Sequence, residues 1–154
     1  MIRMEKENYQ ASIRVNKPPL ECTEAINRVK DWWVVKTEGK ATSIHDNFKL
    51  DMGETHVSFR VTELDPGKKI VWLVTDCYIH WLKDKKEWKG TKVIWEIHPL
   101  KEETLVKMEH IGITPAVECF KACQQGWDFY VKRSLLKLIT EGTGLPDKRK
   151  EYAS

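Results

Sequence analysis

Between residues 37 and 113 the apolar side chains recur at every second position, and from 117 to 138 at every third or fourth. A period of two buries one face of a strand, whereas a period near 3.6 buries one stripe of a helix. Strands therefore come first and a long amphipathic helix comes last. That segregation excludes the alternating order of a parallel doubly wound sheet and leaves an α+β fold.

The strands can be placed one by one. Tyr9, Ala11, Ile13 and Val15 alternate with Gln10, Ser12 and Arg14, which predicts a half-buried first strand. Pro18-Pro19 ends it, Cys22, Ala25, Ile26 and Val29 then fall at helical spacing, and Trp32-Trp33 close a short helical corner. Residues 41–45 and 48–52 read as short strands. Val57, Phe59 and Val61 mark a longer one, and the stretch from Lys69 to Cys77 marks the next. Between them Asp65-Pro66-Gly67-Lys68 puts Pro second and Gly third, as a type II turn requires, so these two form a hairpin. Residues 83–89 read as a charged loop. Val93, Trp95 and Ile97 predict a further strand that stops at Pro99, and Val106, Met108 and His110 predict the last.

Thr114 suits a helix N-cap and Pro115 the first helical position. Val117, Phe120, Gln124, Trp127, Val131, Leu135 and Leu138 trace one stripe, and Gly142 and Gly144 stop it. A helix of about 25 residues spans ~37 Å, and a strand of about ten spans ~33 Å. The helix can therefore lie across a whole antiparallel sheet. Residues 1–154 read as one domain, with 145–154 as a flexible tail.

Composition removes several classes of function. A formal charge of +3, from 26 basic and 23 acidic residues spread evenly, argues against a nucleic-acid surface or an anionic membrane as partner. No apolar run approaches the ~18 residues of a membrane helix. The first seven residues lack the apolar core of a signal peptide, so a cytoplasmic location is the default. Cys22, Cys77, Cys119 and Cys123 are expected as reduced thiols, because a domain of this size needs no staple. His45, His56, His80, His98 and His110 lie too far apart in sequence for a local metal clamp, and no Gly-rich phosphate loop or Gly-x-Ser-x-Gly elbow occurs. No metal or cofactor is predicted, and the absence of local catalytic motifs leans against an enzyme.

The informative feature is aromatic: seven Trp, at 32, 33, 72, 81, 88, 95 and 127. Trp95 and Met108 sit on strand faces and Phe120 and Trp127 on the helix stripe. As apolar faces of their elements, these must meet, and Trp72 joins them. A solid aromatic core and a cavity that holds an apolar ligand both remain open. His110 should point inward beneath the helix, and Tyr130 lies at the stripe's edge; each needs a partner if buried. A neighbouring side chain or backbone carbonyl could serve, and so could a ligand. The candidate cavity residues are therefore Trp72, Trp95, Met108, His110, Phe120, Trp127 and Tyr130. On the sheet's other side Val71, Leu73 and Ile94 form an apolar patch, and Phe129 and Leu136 fall off the main helix stripe. That pattern fits a homodimer.

Asp31-Trp32-Trp33, the run from Glu63 to Trp72, Gly90 to Ile97, His110-Ile111-Gly112-Ile113, Glu118-Cys119-Phe120, Gly126-Trp127, Ser134-Leu135 and Gly142-Thr143-Gly144 together resemble one family. It is the heat-shock protein 90 ATPase activator-like group of the START-like (SRPBCC, Bet v 1-like) superfamily, and the likeness covers residues 9 to 144. The resemblance implies a helix-grip fold, a curved antiparallel sheet wrapped around the C-terminal helix. It also implies a cavity between them that takes lipids, sterols, polyketides or other hydrophobic molecules, with Trp72, Trp95, His110, Trp127 and Tyr130 on its wall. A second implication is a cyclase- or dehydratase-like enzyme, with His110 as general acid or base and Tyr130 or Glu96 assisting, although Glu96 alternates away from Trp95. A third is a stress- or chaperone-associated interaction module. The co-chaperone's separate N-terminal domain is expected to be missing, since about eight residues precede the first strand.

Overall fold

From the second strand to the seventh each pairs antiparallel with the next in sequence, and the first strand pairs antiparallel with the seventh. The computed structural model describes residues 7–148. Its elements are β1 (Tyr9–Val15), α1 (Pro19–Asn27), α2 (Val29–Trp32), β2 (Thr37–Gly39), β3 (Asn47–Met52), β4 (Thr55–Asp65), β5 (Lys69–Tyr78), β6 (Lys92–Pro99), β7 (Thr104–Ile111), α3 (Phe120–Phe129), a π-helical segment (Tyr130–Leu135) and α4 (Leu136–Glu141). The strands form one antiparallel sheet in the order β1-β7-β6-β5-β4-β3-β2. Its inner face packs on the C-terminal helix and on α1 and α2, the expected helix-grip arrangement.

Curvature comes from β4. Register shifts between Ser58 and Phe59 and between Val61 and Glu63 bend that strand against β5, as bulges do. The hairpin turn forms as read: Gly67 takes φ 81°, and the Lys68 N–H donates to the Asp65 carbonyl at 2.9 Å.

Two sequence-based boundaries are corrected. Residues 41–45 form no strand; β2 lies earlier, at Thr37–Gly39. The Asp46 carboxylate draws the 41–45 segment into a turn by accepting the backbone N–H of Thr42 at 3.1 Å and of Ser43 at 2.9 Å. The long helix also starts later than Thr114-Pro115. Residues 115–119 are turns, and α3 opens at Phe120. The reason is tertiary. The Glu87 carboxylate, from the β5–β6 connection, accepts the N–H groups of Glu118 at 2.9 Å and Cys119 at 3.1 Å. Glu118 reciprocates, its carboxylate accepting the Lys83 N–H at 3.0 Å and that of Asp84 at 3.3 Å. Helix-terminal donors are thus satisfied by another part of the chain instead of by an earlier turn.

The π-helical segment has a geometric cause. Cys123, Trp127, Val131, Leu135 and Ile139 are buried at successive four-residue steps. In an α-helix each such step turns about 40° beyond a full circle, so the stripe would wind off the sheet. The wider π turn takes up that excess. It also aims Ser134 at the corner helices: its hydroxyl donates to the Trp32 carbonyl at 2.6 Å and accepts the Leu145 N–H at 2.7 Å. Gly144 passes so close that an added Cβ would lie 3.1 Å from the Ser134 carbonyl and would overlap that of Asp31. Beyond it, the stretch expected as a tail is held at Asp147, whose N–H donates to the Trp33 carbonyl at 2.7 Å and whose carbonyl accepts from Val35 at 2.9 Å. The remainder of that stretch, 149–154, lies outside the described residues.

Ser134 therefore joins the long helix to the Trp corner and to the C-terminal strap. Ser134→Ala leaves a buried carbonyl and an N–H without this partner, and should lower unfolding free energy by about 1–3 kcal/mol. Urea denaturation followed by circular dichroism measures it.

Candidate functional site

The helix and the sheet are joined by a buried relay. The Trp127 indole N–H donates to His110 Nδ1 at 3.1 Å. An indole only donates, so Nδ1 is unprotonated and the imidazole proton sits on Nε2. Nε2 lies 2.9 Å from Thr91 Oγ1 and donates to it, and the Thr91 hydroxyl donates in turn to the Trp88 carbonyl at 2.6 Å. His110 is fully buried, and burial pushes its pKa down to about 3. The imidazole is neutral at physiological pH, with both nitrogens engaged.

Of the candidate residues, Trp72, Trp95 and Met108 are buried to 1 % exposure or less, within a packed cluster. The Trp72 and Trp95 rings meet at 5.6 Å, and Trp95 reaches Trp127 at 6.5 Å, edge to face. The expected meeting of strand and helix faces is therefore real. Around these two indoles lie Trp32, Trp33, Phe48 and Phe59, and neither indole N–H has a hydrogen-bond acceptor. Phe120, at the start of α3, is half-buried against the same cluster. Glu96 pairs with His98 at 3.3 Å on the outer face and does not approach His110's side of the sheet. No acid–base pair of His110 with Glu96 forms.

Trp127 and Tyr130 instead wall a cleft of about 160 Å³ at one end of the helix. Its other walls are Trp33, Met52, Thr55, Val57, Ile79, Trp81, Trp88, Cys123 and Gly126, none of them charged. Trp33 packs on Trp127 at 4.6 Å, and the Trp88 ring lies parallel to Trp127 at 6.3 Å. Trp81 stands at the mouth, 56 % exposed. Gly126 leaves open the space that a side chain would take, since an added Cβ meets nothing within 4 Å. Larger depressions lie elsewhere, including one of about 450 Å³ on the outer sheet face, but Lys69, Glu96, Lys107, Glu109 and Lys132 line it with both signs of charge.

Sequence reasoning missed most of these walls. Trp33 was expected only to lock a corner, and Trp81 and Trp88 belong to or adjoin a stretch read for its charges. An aromatic residue inside the lysine-rich run 83–89 was the available signal. That loop is structured: the Glu87–Glu118 exchange pins it, and Lys85 Nζ donates to the carbonyls of His80 at 2.8 Å and Leu82 at 2.7 Å. The cysteines also depart from expectation. Cys119 and Cys123 are joined in a disulfide, because four residues at the start of a helix bring their Cα atoms to 5.6 Å on one face. Cys22 and Cys77 are buried thiols, and burial raises the Cys22 pKa to about 11. Among the described residues no cluster of His, Cys, Asp and Glu could hold a metal, and no helix is long and apolar enough to cross a membrane.

The family model described as activator of Hsp90 ATPase homolog 1-like protein matches residues 25–140, from α1 to α4. The chain belongs to that family. Its fold recurs in solved structures of low identity. The Aha1 dimer of Colwellia psychrerythraea superposes with a TM-score of 0.72 at 21 % identity, covering 89 % of this chain and 98 % of that one. DynU16, a putative protein of the dynemicin biosynthetic locus, gives 0.65 at 17 %, covering 90 % of this chain and 49 % of that one. MLL2253 of Mesorhizobium loti gives 0.66 at 16 %, covering 88 % and 99 %. No curated protein matches the chain. At these identities the structures speak for the fold, and family membership bears out the resemblance read from the Trp and Gly positions.

The buried imidazole has a consequence for stability. In the unfolded chain His110 titrates near 6.5, as unperturbed His does, and in the folded family domain near 3. Between those values only the unfolded chain takes up the proton. The His110 contribution is therefore complete above about pH 6.5 and is lost as pH falls toward 3, by at most ~1.4 kcal/mol per pH unit. Urea unfolding from pH 7 to pH 4 should show a shallower acid loss in His110→Gln than in the wild type.

Proposed function

We propose that this domain binds a small, neutral, largely apolar molecule in the cleft between sheet and C-terminal helix, without catalysis. One observation carries the reading: four indoles, from Trp33, Trp81, Trp88 and Trp127, converge on a space that no charged side chain lines. Apolar walls with few polar groups are the usual makeup of a ligand site. The volume sets the class. An apolar cavity of ~150 Å³ is known to accommodate benzene, so about 160 Å³ suits a single ring, or the end of a chain whose remainder leaves past Trp81. Sterol-sized ligands would need the walls to move. Thr55 and Tyr130 are the hydroxyl-bearing wall residues, and they suit a ligand with one polar end. DynU16 comes from a biosynthetic locus, which is consistent with small-molecule handling in this fold.

Titration with phenol, benzyl alcohol and hexanoic acid, followed by amide chemical shifts, tests the reading. Saturable shifts confined to the cleft walls are expected, with the neutral ring compounds preferred over the carboxylate. Gly126→Leu fills the vacant space and should weaken binding about tenfold or more, roughly the 1.4 kcal/mol per decade of affinity arithmetic, while the melting temperature holds. Shifts scattered over the outer face, or none, would reject it.

Self-association is a second reading, favoured by the dimeric state of the Colwellia protein. On the outer sheet face Leu73 and Ile94 are half-buried beside Val71. Light scattering should give twice the chain mass for the wild type, and a monomer for Leu73→Glu.

A further inference from the structure

The Cys119–Cys123 disulfide closes one turn at the start of α3, and its two ends differ in access. Cys123 lines the cleft. Cys119 is 1 % exposed and faces inward, where its Sγ accepts the Trp88 indole N–H at 3.4 Å. A nucleophile that enters the cleft therefore meets the Cys123 sulfur first. The cleft is narrow, so the nucleophile must be small, and its apolar walls favour an entering group without charge beyond the sulfur itself.

From this geometry we infer that Cys119–Cys123 is a reversible thiol–disulfide exchange site, reached through the cleft by a low-molecular-weight thiol. The thiolate attacks Cys123 Sγ along the cleft and the S–S bond breaks. Cys119 leaves as thiolate, with the Trp88 N–H as donor, and then takes a proton. A second thiol attacks the mixed disulfide at the sulfur contributed by the first, releasing Cys123 as a thiol. Two small thiols are oxidised to one disulfide, and the protein pair gains two electrons and two protons. Exchange rates depend on which sulfur is accessible and on how well the other leaves, and here both criteria select the same order. Once reduced, Cys123 presents a thiol to the cleft wall, so the pair's state alters the surface that a ligand meets. The exchange needs no bound ligand, so its failure leaves the binding reading standing.

The test uses the whole chain. The oxidised protein is mixed with increasing dithiothreitol, quenched in acid, unfolded, alkylated with N-ethylmaleimide and mapped by mass spectrometry. Labelling of Cys119 and Cys123 at a rate proportional to dithiothreitol is expected, with Cys22 and Cys77, thiols throughout, labelled in full at every time as the internal reference. A rate that plateaus at the rate of global unfolding overturns the proposal, as does an absence of any disulfide after treatment of the reduced protein with hydroxyethyl disulfide. Position is tested separately with hydroxyethyl disulfide, a small uncharged reagent, on Cys119→Ser and Cys123→Ser. The Cys123 thiol that remains in the first should form the adduct at least about ten times faster than the Cys119 thiol in the second, as its greater access requires. Equal rates, or the reverse order, overturn the assignment of the attacked sulfur.

Discussion

The hydrogen bond from the Trp127 indole to His110 fixes where the helix lies on the sheet. Apolar contact alone is non-directional and would tolerate sliding of one greasy face over the other. A donor that can only donate, set against an imidazole with one free lone pair, tolerates neither shift nor rotation. The net gain from one such bond is modest, about 0.5–1.5 kcal/mol, but leaving either group unmade in a dry interior costs more. From His110 the relay continues through Thr91 to the Trp88 carbonyl, so the β5–β6 connection is drawn into the same register.

That register divides the interior in two. On the side of Trp72 and Trp95 the buried rings pack on one another, mostly edge against face, at centroid separations that aromatic pairs favour. On the side of Gly126 and Cys123 the helix offers small residues, and the loop that carries Trp81 and Trp88 roofs the gap instead of filling it. The cleft is thus a consequence of where bulk is placed along the stripe. The π-helical segment belongs to the same economy of position, since it keeps Val131 and Leu135 over the sheet after Trp127 has been committed to His110.

Much of this was legible in advance. The bounds of β1, the hairpin turn at Gly67, the inward face of His110, and the facing of Trp95, Trp72 and Trp127 all follow from periodicity, because the side-chain period of a strand or helix is a local property. The helix start was misjudged because Thr114-Pro115 satisfies every local rule, while Glu87, 27 or more positions earlier in the chain, supplies the cap that competes. The strand expected at 41–45 failed for a similar reason, a carboxylate at Asp46 preferring the backbone of its neighbours. The candidate wall residues separate in the structure. Trp127 and Tyr130 line the cleft, but Trp72, Trp95 and Met108 are packed beneath it, and His110 is spoken for by Trp127 and Thr91.

The amino-acid order by itself determined the α+β class, the antiparallel meander, the long final helix and the family, since each rests on periodic burial or on turn residues acting over a few positions. The tertiary structure alone decided which aromatics are core and which are wall, which histidine partner is used, and that two cysteines meet. Those outcomes depend on distances between segments far apart in the chain, and neither alternation nor spacing along one element encodes such a distance.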